Sequence, residues 1–252
     1  MPQQPVYCAV RLARFFASEA LTTGTSVALP EEEGQHLTRV LRLQAGDPVA
    51  VFNGRGQEWR AVVDAVDKHR VRVRLEEAIV PPPEPSIAIV LAVAALKGDK
   101  MDDVVRDAVM IGVAAIQPIV TARSEIPLSR VRDGGRVARW QRVAVSSAKQ
   151  CGRAVIPVVN PPLALGDALR GAIGAIVLVE PSANAPTQRL RDLPARPRAT
   201  LFIGPEGGWA PEELELAATA GATLVTLGAE TLRADAAPLV AVTALRVQWS
   251  DL

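Results

Sequence analysis

The sequence is poor in the side chains that build disulfide frameworks and metal centres. Its 252 residues contain two cysteines, Cys8 and Cys151, and two histidines, His36 and His69. The cysteines are far apart and neither belongs to a CxxC motif, which argues against a disulfide framework and against a structural zinc site. Two isolated histidines likewise argue against a histidine-based metal centre, so we expect chemistry without a metal ion.

Long hydrophobic runs and a strong net charge are also absent. No apolar stretch approaches the roughly 18 residues needed to span a bilayer, and Arg11 and Arg14 interrupt the N-terminal segment, unlike the continuous apolar core of a signal peptide. We therefore expect a cytoplasmic protein. The formal net charge is only +1, so a nucleic-acid partner has to bind at a local basic surface rather than through the overall charge.

The sequence does contain enough apolar material for two modest domains and a clear boundary between them. Hydrophobic residues make up 49% of the chain. The segment Pro81-Pro82-Pro83-Glu84-Pro85 donates almost no backbone hydrogen bonds and prefers an extended conformation. This segment predicts a domain junction, with residues 1–80 before it and residues 81–252 after it.

The part before the prolines is predicted to be a small barrel-like β domain with one helix. Pro48–Asn53, Glu58–Asp67 and the alternating run Arg70 to Leu75 are typical of strands, and an Asn-Gly turn separates the first two. Glu31–Leu43 has apolar residues at helical spacing and three acids in its first turn, which favours a helix there.

After the prolines, apolar runs alternate with segments of helical periodicity, which indicates a parallel sheet with helices packed on its faces. The apolar runs are typical of strands buried on both sides. The predicted strands are Ile87–Ala95, Ala115–Val120, Val155–Val159, Ala175–Val179, Leu201–Ile203 and Thr223–Leu227. The predicted helices are Lys100–Ile111, Arg136–Lys149, Leu163–Leu169, Pro211–Ala220 and Asp235–Trp249.

A glycine-rich segment, Gly204-Pro205-Glu206-Gly207-Gly208-Trp209, connects a predicted strand to a predicted helix. In open parallel sheets, ligands bind at the carboxyl ends of the strands, and glycines there let a ligand approach the backbone. The same glycines are equally compatible with a tight turn that needs positive φ angles. The segment matches neither a P-loop nor a GxGxxG motif, which disfavours a phosphate loop and a dinucleotide fold.

A second candidate loop, from Leu227 to Asp235, follows the next predicted strand and leads into an apolar helix. Because the carboxyl ends of parallel strands meet at one edge, we expect the two loops to form a paired site. Arg233 in this loop has two open interpretations, a structural residue bonded to Asp235 or to carbonyl oxygens, and a functional residue that faces the site.

Short motifs along the whole chain occur in the order and spacing of a known enzyme family. They are Arg14-Phe15-Phe16, His36 to Arg42, Lys97 to Met101, Arg123-Ser124, Gln150-Cys151-Gly152-Arg153, Ile203–Gly208, Leu227-Gly228 and Leu232-Arg233. On these residues the chain resembles the RsmE family of bacterial small-subunit (16S) ribosomal RNA uracil-N3 methyltransferases, within the SPOUT class. It departs from the family pattern at Asp107, Met110, Lys149 and Glu230, and we hypothesise that Asp107 and Lys149 form a swapped ion pair.

The resemblance implies features that composition and periodicity do not. It implies a PUA-like RNA-binding β-barrel at residues 1–80 and an α/β SPOUT methyltransferase domain at residues 81–252 whose end is threaded into a trefoil knot. It also implies a homodimer, S-adenosyl-L-methionine as the cofactor, and 16S ribosomal RNA within the small ribosomal subunit as the partner. The implied cofactor-binding residues are Leu178, Val179, Glu180, Ile203, Gly204, Pro205, Glu206, Gly207, Gly208, Leu227, Gly228, Ala229 and Leu232.

The implied reaction needs specific catalytic groups, because uracil N3 carries a proton at neutral pH. Arg233 is the expected stabiliser of the developing anion, since a guanidinium can hydrogen-bond a uracil carbonyl. Glu206 is the expected general base, although it could equally anchor a backbone turn or bind the cofactor. The residues expected to bind RNA are Arg11, Arg14, His36, Arg39, Arg42, Lys97, Arg123, Gln150 and Arg153.

Two other functions stay open at this point. The first is a ribosome-assembly protein that has the fold and binds RNA but does not catalyse, and binding of S-adenosylmethionine separates it from an enzyme. The second is a SPOUT methyltransferase that modifies another RNA, such as transfer RNA. The sequence also leaves open whether free RNA or the assembled small subunit is the substrate.

Overall fold

The computed structural model describes residues 12–19, 22–67, 70–133, 135–183 and 185–251, and these form two compact units. The first unit holds the described residues up to Pro82 together with Gly152–Val155. The second holds Pro83–Cys151 and the described residues from Ile156 onward. The assignment of residues 152–155 to the first unit was not anticipated from the sequence. Arg11 and Cys8 lie outside the described residues.

The first unit is built on a β-sheet with the strand order β1-β3-β4-β5-β2. β1 runs parallel to β3, and the other pairs are antiparallel. Alternation places Val71, Val73 and Leu75 in the core, whereas Arg72 and Arg74 point to solvent. The strands are β1 (Ala13–Phe16), β2 (Ser26–Ala28), β3 (Pro48–Phe52), β4 (Glu58–Val66) and β5 (Val71–Ile79).

The helix of the first unit is shorter than predicted and changes its winding. α1 spans Glu31–Gln35 and continues as a π-helical turn over His36–Val40. The π geometry is fixed by a bond from the Leu41 N–H to the His36 carbonyl at 3.1 Å. The chain then leaves the helix through Arg42, which has a φ of 57°. The prediction that the helix continues to Leu43 was therefore wrong.

The second unit has an all-parallel sheet in the order β11-β13-β10-β12-β6-β7-β8, with β9 also pairing with β7. The predicted parallel α/β architecture is confirmed. The strands are β6 (Ala88–Ala94), β7 (Ala115–Val120), β8 (Val158–Val159), β9 (Leu163–Ala164), β10 (Ala175–Leu178), β11 (Gln188–Arg189), β12 (Arg198–Ile203) and β13 (Thr223–Thr226). The helices are α2 (Lys100–Met110), α3 (Leu128–Arg132), α4 (Arg136–Cys151), α5 (Leu165–Arg170), α6 (Pro211–Thr219) and α7 (Ala237–Gln248), with a 3₁₀ turn at Leu190–Asp192.

Two local predictions in the second unit need correction. The predicted strand Val155–Val159 is reduced to β8, because Val155 forms an isolated bridge with Arg55 in the first unit. The first residues of the predicted helix Leu163–Leu169 instead form β9, which pairs with the end of β7. In the described residues, no helix is long and apolar enough to cross a membrane.

The sheet register determines where the loops of the second unit meet. Ile203, the last residue of β12, lies opposite Leu178 of β10 on one side and Val93 of β6 on the other. Leu178 in turn lies opposite Val225 of β13. The loops that leave the carboxyl ends of these neighbouring strands therefore start at one edge of the sheet, where ligands bind in this architecture.

Candidate active site

A cavity of about 450 Å³ lies at this edge of the sheet. Three loops surround it, and they follow β10, β12 and β13. Lys100, at the start of α2, also reaches it. The predicted site residues in its lining are Leu178, Val179, Glu180, Ile203, Gly204, Pro205, Glu206, Gly207, Gly208, Leu227, Leu232 and Arg233.

Two predicted cofactor-binding residues do not line this cavity. Gly228 and Ala229 line a neighbouring cavity of about 750 Å³, which also contains Arg189 and Arg191. The two cavities share Thr226 and Leu227. Gly228 and Ala229 therefore face away from the first cavity, whereas Leu227 and the residues from Glu230 to Asp235 line it.

The glycine loop (Gly204 to Trp209) is held by its tryptophan. Trp209 is 4% exposed, and its indole Nε1 donates a hydrogen bond to the Leu178 carbonyl at 2.7 Å. A Cβ on Gly204 would lie 3.0 Å from Cε2 of this ring. Gly204 thus leaves room for the indole, which connects the loop after β12 to the end of β10.

The other two glycines of the loop also have neighbours within the protein. A Cβ on Gly207 would lie 3.2 Å from the Arg123 Cβ. Gly208 has a φ of +68°, and a Cβ there would overlap the Glu180 carboxylate. Packing within the protein and a positive φ therefore account for these glycines. Direct approach of a ligand to them stays a prediction.

An ion pair that the sequence did not predict crosses the cavity edge. Because β6 and β12 are neighbours, the start of α2 lies beside the glycine loop, and Lys100 Nζ donates a hydrogen bond to Glu206 Oε1 at 2.9 Å. The hydrogen bond that Lys100 donates to Glu206, together with the negative charge of that carboxylate, raises the pKa of Lys100. Burial acts to raise the pKa of Glu206, but hydrogen bonds from Lys100 and from the backbone outweigh it and lower that pKa. Glu206 is therefore ionised at neutral pH and is a weaker base than an ordinary glutamate.

A second ion pair lies on the loop after β13. Arg233 Nη2 donates a hydrogen bond to Asp235 Oδ2 at 2.9 Å, and the Arg233 side chain is 76% exposed. Arg233 bonds Asp235, as the structural interpretation expects, and it also lines the cavity, while its functional role stays a prediction. Sequence reasoning missed Asp235 and Lys100 as site residues. Their one local signal was that each is the first residue of a predicted helix that follows a predicted strand.

Comparison with known proteins identifies the family. A family model described as an RNA methyltransferase domain matches residues 82–246, and one described as an RNA methyltransferase PUA domain matches residues 29–76. The first match covers more than half of the chain. The chain belongs to the RNA methyltransferase family.

Several relatives of this chain are named ribosomal RNA small subunit methyltransferase E. Ribosomal RNA small subunit methyltransferase E of Synechocystis sp. is 33% identical over 86% of this chain and 71% of its own length. That of Mycobacterium bovis is 32% identical over 94% of this chain and 92% of its own length. The crystal structure of the Neisseria gonorrhoeae enzyme bound to S-adenosyl methionine has a TM-score of 0.85 at 30% identity, over 95% of this chain and 98% of that chain. The predicted family and the predicted fold class, an α/β methyltransferase with a small N-terminal PUA domain, are confirmed.

In this RNA methyltransferase, the Arg14 side chain is buried and is bonded to other residues of the first unit. Its Nε and Nη2 donate to the Glu58 carboxylate at 2.8 and 2.9 Å, and Nη2 also donates to the Arg153 carbonyl at 3.0 Å. The guanidinium lies 4.5 Å from the Phe52 ring centre, and the Arg14 side chain is only 7% exposed. These contacts leave little surface for a phosphate, so they do not support the prediction that Arg14 binds RNA.

The RNA-binding candidates on the π-helical turn of the first unit and just after it are more accessible than Arg14. Arg39 and Arg42 are exposed, next to Val40, whose exposed fraction is 64%. His36 is partly buried, and its ring meets the Phe15 ring edge-on at 6.3 Å. Among the predicted RNA-binding residues in this part of the chain, Arg39 and Arg42 are thus the two whose charge faces solvent.

The candidates in the second unit have different surroundings. Lys97 forms an ion pair with Glu125 and is 62% exposed. Arg123 donates from Nη1 to the Gly207 carbonyl at 2.9 Å, which fixes the glycine loop. Gln150 is exposed near the end of α4. Of these residues, Arg123 is the one in contact with the candidate active site.

Proposed function

We propose that this RNA methyltransferase transfers the methyl group of S-adenosyl-L-methionine to N3 of a specific uridine in 16S ribosomal RNA. The observation that carries the proposal is the cavity itself. Its lining combines apolar strand ends with four charged groups, Lys100, Glu206, Arg233 and Asp235. It belongs to a chain that is similar over 95% of its length to a ribosomal RNA small subunit methyltransferase E crystallised with the methyl donor.

The cavity suits the proposed methyl donor. Its volume of about 450 Å³ lies within the ~300–1,000 Å³ of small-molecule sites. Leu178, Ile203 and Leu227 supply apolar surface for a nucleoside, and Glu180 supplies a carboxylate for a hydroxyl or ammonium group. When bound, S-adenosylmethionine provides an electrophilic methyl carbon, so the chain mainly has to align the two reactants.

The proposed reaction replaces a proton by a methyl group. The N3–H bond breaks, an N3–CH₃ bond forms, and the S–CH₃ bond breaks with its electron pair remaining on sulfur. We assign to Arg233 a hydrogen bond to a uracil carbonyl, which stabilises the negative charge on the ring. We assign to Glu206 the acceptance of the N3 proton and its release to water. Because the pKa of Glu206 is lowered, stabilisation of the uracil anion has to contribute more to catalysis than the basicity of Glu206.

We assign RNA binding to the first unit and to basic residues beside the cavity, and catalysis to the second unit. The match of residues 29–76 to an RNA methyltransferase PUA domain and the exposed Arg39 and Arg42 support the first assignment. A ribosomal RNA substrate also supports a cytoplasmic site of action. The trefoil knot implied by the resemblance belongs to the same proposal, supported by the convergence of three loops on one cavity.

A homodimer is part of the proposal and is supported by an apolar helix face. Val240 and Val247 of α7 are 42% and 61% exposed and lie two turns apart on one side of the helix. Sedimentation equilibrium of the 26.7 kDa chain is expected to give twice that mass, and Val240→Glu is expected to shift it to the single-chain mass. A wild-type protein that sediments as a single chain would show the homodimer to be wrong.

The function is tested by incubating the purified protein with labelled S-adenosylmethionine and small subunits that lack the modification. Mass spectrometry of the digested RNA is expected to find N3-methyluridine at one position. Naked 16S RNA and transfer RNA, treated in parallel, identify the substrate form, and methylation of transfer RNA alone would contradict the assignment to ribosomal RNA. Calorimetry that detects no binding of S-adenosylmethionine would favour a non-catalytic assembly protein.

A further inference from the structure

Lys100 lines the cavity, but the reaction proposed above gives it no chemical role. It is the first residue of α2, where a positive charge opposes the helix dipole. Its ion pair with Glu206 is partly exposed, with side-chain exposures of 43% and 35%, and such pairs contribute little to stability. Neither helix formation nor the stability of the ion pair explains a lysine at this position. A role of Lys100 toward a ligand in the cavity would explain it.

The charged groups at this side of the cavity form two pairs. Lys100 is bonded to Glu206, and Arg233 is bonded to Asp235. The pairs are close enough to interact, because the charge of Asp235 raises the pKa of Lys100 and the charge of Arg233 lowers it. The cavity therefore presents two cationic donors, each held by a carboxylate.

This arrangement matches the edge of the proposed target base. Uracil presents two acceptors, O2 and O4, on either side of the N3–H donor. Loss of the proton spreads negative charge over N3 and both oxygens, and one cation next to one oxygen neutralises only part of it. An ammonium group has three donors, so Lys100 can keep its bond to Glu206 while it donates another to a base.

We propose that Lys100 binds one carbonyl oxygen of the target uracil and stabilises its N3 anion, while Glu206 holds the ammonium group in place. The inference rests on the proposed function. Lys100 stays protonated throughout, and the N3 proton goes to the carboxylate and then to water. Arg233 is left to bind the other carbonyl oxygen, and Glu206 gains a positioning role in addition to that of proton acceptor.

The test compares Lys100→Gln and Lys100→Arg with a matched control on the same helix. The control is Arg106→Gln, which removes an exposed cation that is ion-paired with Asp103 and Asp107. We expect Lys100→Gln to lower kcat at least about tenfold, as loss of a charge-stabilising donor does, and Lys100→Arg to restore part of it. The Kd for S-adenosylmethionine should change by no more than about twofold, since the loss acts on the transition state.

A pH profile separates anion stabilisation from a purely structural role. A cation beside the uracil lowers the pKa of its N3–H, so removal of the cation raises that pKa and moves the rising limb of kcat to higher pH. The effects of Lys100→Gln and Glu206→Gln should also be non-additive, because the two side chains act as one unit. Full additivity together with an unshifted profile would contradict the inference.

The outcomes distinguish the inference from the function on which it rests. A wild-type enzyme that makes N3-methyluridine, with Lys100→Gln within about twofold of it, overturns the role of Lys100 and leaves the proposed function standing. A wild-type protein that neither binds S-adenosylmethionine nor methylates RNA overturns the proposed function itself. Thermal unfolding checks that each variant is folded. If Lys100→Gln does not fold, the pH profile of kcat for Lys100→Arg is compared with that of wild type to test the role of Lys100.

Discussion

At the scale of single residues, the exposure of Arg233 makes it a sensitive probe of catalysis. Its guanidinium is bonded to Asp235 and its side chain is 76% exposed, so truncation should cost the fold little. We predict that Arg233→Ala lowers kcat about 100-fold, the typical cost of losing one group that stabilises developing charge. The Kd for S-adenosylmethionine, measured by calorimetry, should change far less. Arg233→Lys should recover only part of the activity, since lysine lacks the planar fork; unchanged turnover in Arg233→Ala would remove this residue from catalysis.

Substitution of Glu180 tests binding of the cofactor rather than binding of the target uracil. It follows β10, its carboxylate packs over Gly208, and it lines the cavity. We predict that Glu180→Gln weakens S-adenosylmethionine binding about tenfold, the smaller end of the range for hydrogen bonds to charged groups. The matched control is Glu212→Gln, an exposed acid at the start of α6, which should leave calorimetric affinity unchanged.

A fragment of the cofactor shows which group Glu180 contacts. 5′-Methylthioadenosine keeps the ribose and lacks the amino-acid part of S-adenosylmethionine. An equal loss of affinity for both compounds in Glu180→Gln indicates a contact with the ribose hydroxyls, and a loss for S-adenosylmethionine alone indicates the ammonium group. Unchanged affinity for both would show that Glu180 is not a cofactor ligand.

At the scale of elements, the glycine loop links backbone conformation to the binding site. Gly208 has a φ of +68° and has Glu180 beside it, whereas Gly221 has a φ of +79° and open space around it. Alanine at either position should cost about 1–2 kcal/mol of stability, the usual cost of a left-handed residue with a Cβ. Gly208→Ala should in addition displace Glu180 and weaken S-adenosylmethionine binding about tenfold, while Gly221→Ala should bind normally. Urea unfolding and calorimetry measure the two effects, and equal affinities in the two variants would contradict this account.

Elements with long apolar or periodic patterns could be predicted from the sequence. β6 and the second half of β12 are buried on both faces of the sheet and therefore have continuous apolar runs, and α2 and α4 show helical spacing over many residues. Strands of two or three residues, such as β2, β9 and β11, are too short to create a pattern. β8 was predicted too long because the pairing of Val155 with Arg55 connects segments that are distant in sequence.

The candidate site could be predicted as loops but not as a set of interacting groups. The glycine loop and Arg233 follow strands of a parallel sheet, and that topological rule was enough to find them. Lys100 and Asp235 could not be found in this way, because their importance depends on β6 lying beside β12 and on the ion pairs that result. The sequence left ligand approach and a tight turn equally open for the glycines, and the structure supplies internal reasons for them in Trp209, Arg123 and Glu180.

At the scale of the whole molecule, a buried ion pair joins the two ends of the second unit. Asp251, just beyond α7, forms an ion pair with Arg246 and accepts hydrogen bonds from the Ser86 backbone N–H and hydroxyl at 2.7 and 2.6 Å. Arg246 also donates to the carbonyls of Ile111 and Gly112 at 2.8 and 2.6 Å. The side chains of Arg246 and Asp251 are 1% and 4% exposed. The C-terminal end of the unit is thereby fixed to the segment that leads into β6.

Loss of this carboxylate should destabilise the protein in a pH-dependent way. Burial acts to raise the pKa of Asp251, but hydrogen bonds from Ser86 and Ile87 and the charge of Arg246 outweigh it and lower the pKa. Because the pKa of Asp251 is lower in the folded protein, its ionised carboxylate stabilises the fold fully above the ordinary aspartate pKa of about 3.9. This stabilisation is lost as the pH falls through the lowered pKa of the folded state. We predict that Asp251→Asn lowers the free energy of unfolding at pH 7 by about 3 kcal/mol, because it leaves the Arg246 charge buried without its partner.

Urea unfolding of wild type and Asp251→Asn between pH 7 and pH 2 measures this effect. The difference between the two proteins should be constant above about pH 5 and should shrink below about pH 4, because residue 251 then binds a proton in unfolded wild type and, at lower pH, in folded wild type as well. Asp192→Asn is the matched control, since Asp192 is 62% exposed and lies 3.9 Å from Arg191; its effect should stay within about 0.5 kcal/mol. A difference between wild type and Asp251→Asn that persists undiminished at pH 2 would mean that packing around residue 251, rather than its charge, fixes the C-terminal end of the catalytic unit.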